Sequence, residues 1–235
     1  MNASKKKPEP APPAVSQRTL AYESFRRHIL GAKIRPGQFV SQRELTRLLG
    51  LPLGAIREMI PRLEAARLIV TVPKRGLQIA PVDLKLIRNA FQVRSMVERE
   101  AVRHFLRSAS DEELARIEEQ HLSILERARS DRPDPTLEAD AQAVDWGLHD
   151  TMVDSMGNEI LSEIYRVNSL HVRLIRLDAG LAGPMHVPAM EEHLAFIAAL
   201  KARDEDKAIQ SISEHIERSR ARVLDAMLGQ SVHRD

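Results

Sequence analysis

Four residues in the C-terminal half have the types and spacing of a metal centre. Asp145 and His149 are four apart, so a helix puts both on one face, within reach of a single ion. His193 and His215 fall on two later segments joined by a short charged turn, an arrangement that can bring both imidazoles to one depth of a helical bundle. Three neutral imidazole nitrogens and a carboxylate oxygen suit a borderline divalent ion, Zn²⁺ first and Ni²⁺ or Mn²⁺ as alternatives. Such a set leaves coordination positions open for water or a ligand. The chain has nine histidines, and each of these three also reads as a hydrogen-bonded structural residue. His104, His121, His171 and His186 read as surface or structural. Arg94, within Val93-Arg94-Ser95-Met96-Val97-Glu98, has apolar neighbours that suggest a partly buried face, with Glu98 as a possible i,i+4 partner. Arg173 is a second cation on a later segment.

The elements that must position these residues are helical. From Asp83 onward the apolar period is that of a helix, in six segments near 83–107, 110–130, 137–155, 158–178, 187–202 and 204–229. The breaks are Asp131-Arg132-Pro133-Asp134-Pro135, Gly157-Asn158, the stretch from Gly180 to Pro188, and the turn near Asp204. No strand signal, Gly-rich phosphate loop or nucleophile elbow interrupts them. The pattern predicts an antiparallel bundle of six helices.

The first part of the chain is different in charge. Residues 1–80 carry 15 Lys and Arg against 5 Asp and Glu, and the remainder carries 20 against 28. The total of +2 therefore hides a basic module joined to an acidic one. A concentrated positive field suits a phosphate backbone, because cations on the protein release condensed counterions. Tyr22, Phe25, Ile29 and Leu30 give helical spacing over about 17–31, and Arg35-Pro36-Gly37 breaks it. Ser41 with Glu44 forms a capping box for a second helix that ends at Gly50. After Leu51-Pro52 a third helix runs through Ile56, Met59, Ile60 and Leu63 to about Ala66. Leu68–Val72 and Leu77–Ala80 flank a Pro73-Lys74-Arg75-Gly76 turn, which predicts a hairpin with cations at its tip. Helix, tight turn, helix and hairpin together make a winged helix-turn-helix, with the last helix in the position that enters a major groove.

Composition limits the remaining possibilities. Aromatic residues are 3% of the chain, so the cores must be built of Leu, Ile, Val, Ala and Met, which favours helices packed on helices. The absence of cysteine excludes disulfides and thiolate metal sites and fits a reducing cytoplasm. Residues 1–16, with Lys5, Lys6, Lys7 and several prolines, read as a disordered basic arm rather than a signal peptide or membrane span.

These residues also carry a family resemblance. Ile29-Leu30-Gly31, Arg35-Pro36-Gly37, Arg43-Glu44-Leu45, Leu49-Gly50, Ile56-Arg57-Glu58, Arg62-Leu63-Glu64, Leu68-Ile69 and Arg75-Gly76, in that order, resemble the DNA-binding domain of GntR-superfamily transcriptional regulators. In that family, arginines matching Arg43 and Arg57 contact operator bases or phosphates, and the wing glycine matching Gly76 lies against the groove. The resemblance thus implies a double-stranded operator met by Arg43, Gly54, Ala55, Arg57, Lys74, Arg75 and Gly76. One stretch departs from the pattern: Pro52-Leu53-Gly54-Ala55 stands where a hydroxyl cap and a cation usually begin the recognition helix. The second half, with Asp145-x-x-x-His149, Gly157-Asn158, Glu192-His193 and Glu214-His215-Ile216, resembles the FCD effector domain of the FadR-type branch. In metal-binding members an Asp and three His at these positions hold a divalent ion, and an arginine matching Arg94 points at an effector carboxylate. Arg173 is the second cation on this reading.

The resulting expectation is a mainly α, cytoplasmic, homodimeric transcription factor. Residues 17–80 would bind DNA, and residues 83–230 would bind a metal and a small carboxylate effector. Repression relieved by ligand is the usual sign in the family. The rival is a helical-bundle metalloenzyme that uses the open metal position for hydrolysis, although no general base is evident.

Overall fold

A computed structural model describes residues 33–130, 132–181 and 186–232, together with Tyr22, Ser24, Phe25 and His28. The expected basic arm over 1–16, and most of the expected first helix over 17–31, lie outside the described residues.

Tyr22, Ser24, Phe25 and His28 are helical, and the next described element of the winged module is a strand that sequence reading overlooks. Strand β1 (Phe39–Val40) leads into helix α1 (Gln42–Leu49). Ser41 caps α1 in the expected capping box: its hydroxyl accepts from the Glu44 amide at 3.1 Å, and its own amide donates to Glu44 at 2.6 Å. Gly50 ends the helix at φ 67°, a left-handed turn that suits glycine. Helix α2 (Leu53–Ala65) follows, with Pro52 at its N-cap and no side-chain bond to its first-turn amides. Its inner face buries Ile56, Met59, Ile60 and Leu63. Strands β2 (Ile69–Val72) and β3 (Gly76–Ile79) then form the wing, in a three-stranded antiparallel sheet ordered β1-β3-β2. Val70 faces Gln78 and Thr71 faces Leu77 in the hairpin, and the turn needs positive φ at Lys74 (64°) and Gly76 (98°).

Among the described residues six helices follow: α3 (Leu84–Ser108), α4 (Asp111–Arg129), α5 (Leu137–Asp154), α6 (Glu159–Asp178), α7 (His186–Lys201) and α8 (Glu205–Val232). Their bounds lie within three residues of those expected. Asp83, Ser110 and Asn158 cap α3, α4 and α6, each accepting from a backbone amide three residues on. Helix α3 is central and packs on α5, α6 and α8, while α7 packs on α4, α5 and α8. The shared core includes Ile87, Phe91, Val102, Phe105, Trp146, Met152, Phe196, Ile212 and Val223.

Helix α6 belongs to both halves of the molecule. Leu170 and Leu174 complete the core of the winged module. His171 Nε2 donates to the Ala66 carbonyl at 2.9 Å, and Arg62 of α2 pairs with Glu163 at 3.1 Å. A cleft of about 490 Å³ separates α2 from the start of α6, lined by Tyr22, Arg62, Asp154, Glu163 and Arg166 among others. No described helix is long and apolar enough to cross a membrane.

Candidate metal centre and nucleic-acid interface

Helices α5, α7 and α8 bring His149, His193 and His215 together in the interior. All three are buried, and one ring nitrogen of each lies within 4.8 Å of the others. The His193 and His215 Nε2 atoms are 3.4 Å apart. Asp145 Oδ1 lies 3.7 Å from His149 Nε2 and 3.6 Å from His193 Nε2. The four residues singled out in the sequence are therefore neighbours.

Outer partners decide which nitrogen of each ring faces inward. His215 Nδ1 lies 2.8 Å from Glu192, which Arg222 holds from the other side at 2.7 and 3.1 Å. An acceptor-only carboxylate takes the Nδ1 proton and leaves the Nε2 lone pair inside. Burial lowers the His215 pKa to about 4, against the pull of Glu192, so the neutral ring persists near neutrality. His193 Nδ1 lies 3.2 Å from His121 Nε2, and His121 Nδ1 donates to the Ile117 carbonyl at 2.7 Å. Burial, then the His215 ring, holds His193 well below its ordinary pKa. His149 Nδ1 lies 2.9 Å from Glu98 Oε2, close enough for ion pairing but off the line of a directed hydrogen bond. Burial is the largest influence and opposes its protonation, yet Glu98 and Asp145 together outweigh burial and Arg94 and raise its pKa. Asp145 gives its other oxygen to Arg176 at 2.8 Å and keeps Oδ1 for the interior. Burial raises the Asp145 pKa, but Arg176 and the histidines outweigh it and hold the carboxyl well below its usual range.

The chemistry of this donor set is plain. On the tautomers that these partners fix, two imidazole lone pairs face each other at 3.4 Å with no proton between them, beside a carboxylate oxygen. Like dipoles at that distance repel unless a cation stands among them. Arg94 supplies part of that charge: its Nη2 donates to His149 Nε2 at 2.7 Å and lies 3.3 Å from His215 Nε2. Arg94 is only 2% exposed, and its Nε donates to Glu98 Oε1 at 2.6 Å, an oxygen that also accepts from Tyr165 at 2.6 Å. The i,i+4 pair and the placement beside the histidines thus coexist at Arg94. Arg173 stands with its guanidinium carbon 4.4 Å from the Trp146 ring, where Arg94 and Arg176 also approach within 5.6 Å.

Sequence reading overlooked several residues around the centre. His121 is buried against His193, so of the two roles open to it, surface or structural, the surface role is excluded. Its spacing with Ile117, Ile124 and Leu125 placed it on the inward face of α4, which was the available signal. Glu192 stood next to His193 in the sequence, but nothing local showed that it serves His215 on another helix. Arg176, Arg222 and Tyr165 gave no sequence signal, because their partners are remote in the chain.

The expected DNA-facing residues separate into two groups. Arg43, Gly54, Arg57, Lys74, Arg75 and Gly76 are exposed on α1, α2 and the wing. Ala55 is not: it turns inward at 4% exposed beside Ile56, so its side chain is part of the core and it cannot serve as an outer contact. Arg57 reaches back to Gln42, whose Oε1 accepts from its Nε at 3.2 Å. Arg75 lies over the Phe39 ring at 3.9 Å, which steadies the cation at the wing tip.

Comparison with known proteins agrees with this architecture. Residues 89–218 match the FCD domain family. The Nta operon transcriptional regulator of Aminobacter aminovorans is 24% identical over 196 residues, covering 83% of this chain and 89% of that protein. Among solved structures, a GntR transcriptional regulator from Rhodococcus sp. RHA1 superposes with a TM-score of 0.74 at 19% identity, over 90% of this chain and 99% of that one. McbR/YncC of E. coli gives 0.73 at 17% identity, over 90% and 98%. With regulators as its relatives, the metalloenzyme alternative falls away. A six-helix domain that matches this family over more than half the chain, joined to a winged module with charged outer faces, places the protein in the FCD-domain family, and the relatives it resembles are transcriptional regulators.

Proposed function

We propose that the protein is a homodimeric, DNA-binding regulator. Its helical domain holds one divalent ion through His149, His193, His215 and Asp145 and senses a small carboxylate metabolite there. The observation that carries this reading is the convergence of the His193 and His215 Nε2 lone pairs beside Asp145 Oδ1, with His215 oriented by Glu192, His193 by His121, and a His149 ring nitrogen within 4.8 Å of them. Imidazole with one carboxylate fits Zn²⁺ best, and Ni²⁺ or Mn²⁺ are alternatives. When bound, the ion would supply a Lewis-acidic anchor for an anion.

Arg94 is the natural partner of that anion. The lone pair of His149 Nε2 cannot both accept from Arg94 and ligate an ion. With an ion held by these residues, Arg94 would have to give up its bond to His149, and its two-pronged donor set would be available to a carboxylate. Arg173, on Trp146, adds positive potential nearby. A narrow crevice lined by Arg176, His215, Ser219 and Arg222 among others reaches one of the four residues, His215.

Helix α6 is the element suited to carry the signal. One face serves the centre: Tyr165 binds Glu98, Arg176 binds Asp145, and Asn168 donates to the Ala90 carbonyl at 3.0 Å. The other face serves the winged module through Glu163, Leu170, His171 and Leu174. A ligand that favours one setting of Glu98 and Asp145 therefore biases how the winged module sits. Such coupling is typically worth about 1–3 kcal/mol. Two copies related by a two-fold axis would meet a near-palindromic operator of double-stranded DNA.

The test is selection of a duplex from a random pool by the full chain, followed by titration after metal stripping, with added Zn²⁺, and with Zn²⁺ plus a carboxylate panel. The reading expects a selected duplex and a midpoint that moves with metal and one carboxylate. Failure to select any duplex contradicts the DNA-binding role, and an unmoved midpoint contradicts the coupling.

A further inference from the structure

The interior holds a fourth imidazole. His121 on α4 is buried, with its ring centroid 5.2 Å from that of His193 at a near-perpendicular angle of 70°. Its Nδ1 is 2.7 Å from the Ile117 carbonyl, one turn back on the same helix. A carbonyl only accepts, so Nδ1 carries a proton, and in the neutral ring Nε2 carries the lone pair. That lone pair lies 3.2 Å from His193 Nδ1. His193 Nδ1 must then be the donor, which leaves the His193 lone pair on Nε2, the nitrogen beside Asp145 Oδ1 and His215 Nε2.

We infer that His121 is a positioning residue for the metal centre, a relay by which a backbone carbonyl of α4 fixes the tautomer and ring orientation of His193. The inference rests on the metal-binding reading above and deepens it. His149 and His215 have carboxylates, Glu98 and Glu192, beside their outer nitrogens. His193 has a neutral imidazole there, so its orientation depends on the tautomer of another ring rather than on a negative charge. Were the proton of His121 on Nε2, it would meet His193 Nδ1 as a donor and force the His193 proton onto Nε2. The inward nitrogen would then be unable to ligate. The relay thus couples the carbonyl of Ile117 to the donor set, and α4 enters the site without contributing a ligand.

Two measurements on the full chain test this. The first is the imidazole tautomer of His193 in the metal-free wild type, read from long-range ¹H–¹⁵N correlations. A protonated Nδ1 and an unprotonated Nε2 are expected, and a protonated Nε2 would overturn the relay whether or not any metal binds. The second is Zn²⁺ affinity by chelator competition in wild type, His121→Phe and His121→Gln. His121→Phe fills the space but removes the acceptor, and loss of an orienting partner typically weakens metal binding by about 10–100-fold. His121→Gln offers a carbonyl oxygen to His193 Nδ1 and should recover most of that loss. Wild-type affinity in a folded His121→Phe, or equal loss in both variants, overturns the assignment. If the wild type binds no Zn²⁺, the metal reading fails while the tautomer still decides the relay.

Discussion

In the winged module Arg43, Arg57, Lys74 and Arg75 stand in water, whereas in the helical domain Arg94, Glu98, Asp145, His149, His193 and His215 are sealed from it. The same residue types therefore do different work. An exposed cation costs little to keep and contributes little to stability, and its value is realised on contact with phosphate or base edges. A buried charge is expensive unless every partner is present. Around the centre the partners are supplied in depth: Tyr165, Arg94 and His149 surround Glu98, and Arg222 with His215 surrounds Glu192. The contrast teaches that substitutions in the two regions should fail in different assays, the interior ones in stability and metal binding, the outer ones in DNA binding alone.

The largest effect is expected at Arg94. Arg94→Ala would leave Glu98 buried without its cation, and breaking a buried pair in this way costs about 3–5 kcal/mol. Chemical denaturation of wild type and variant measures this. A loss below that of an ordinary surface substitution would mean that Glu98 is reached by water, and the comparison between the two regions would weaken.

Metal addition is next. A ligand that binds only the folded state adds about 2.7 kcal/mol of apparent stability at a concentration of 100 times its Kd. Excess Zn²⁺ should therefore raise the melting temperature of the stripped wild type, and leave His193→Ala and His215→Ala unmoved. An equal rise in both variants would place the ion elsewhere.

Acid sensitivity of the metal-free protein follows from the buried histidines. His215 is lowered to about 4 and His193 well below its ordinary 6.5, both chiefly by burial. The unfolded chain takes up protons at these residues as the pH falls below 6.5 while the folded chain does not, so stability is lost progressively from pH 6.5 towards about 4. His149, raised by Glu98 and Asp145 despite burial, adds stability that is lost only as the pH rises above 6.5, so it does not offset this fall. Denaturation midpoints between pH 7 and 4.5 should fall, and a flat or rising profile would show that the interior is open to protons.

The outer cations should show the reverse pattern. Arg57→Ala is expected to leave stability within about 0.5 kcal/mol of wild type. The same change should weaken operator binding by about 1–3 kcal/mol if Arg57 reads a base, or lower the salt slope by about one if it meets a phosphate. Unchanged affinity and slope would remove α2 from the groove. The smallest effect belongs to Arg62→Ala, whose exposed pair with Glu163 is worth at most about 1 kcal/mol in folding. Its sharper readout is the ligand response, since that pair bridges α2 and α6.

How far the sequence reached follows from the range of each signal. Helix bounds in the bundle were legible because caps such as Asp83, Ser110 and Asn158 act over three residues. The capping box at Ser41 and the stop at Gly50 were legible for the same reason. Strand β1 was not, since Phe39–Val40 is two residues long and becomes a strand only by pairing with Leu77 and Gln78. The inward turn of Ala55 was hidden because a small residue fits either face of a helix. At the centre, Asp145 with His149 showed itself by helical spacing, and His193 and His215 by residue type and resemblance. The partners that orient them, Glu98, His121, Glu192 and Arg176, reach the ligands across helix–helix contacts of large sequence separation, where local pattern carries no information.

The central claim is that the buried histidines and Asp145 form one divalent metal site per chain. Titration of the chelator-stripped full chain with Zn²⁺, followed by metal analysis after desalting, tests it directly. The wild type should retain one equivalent, and His193→Ala and His215→Ala none. Retention of a full equivalent by both variants, or none by the wild type, would contradict it.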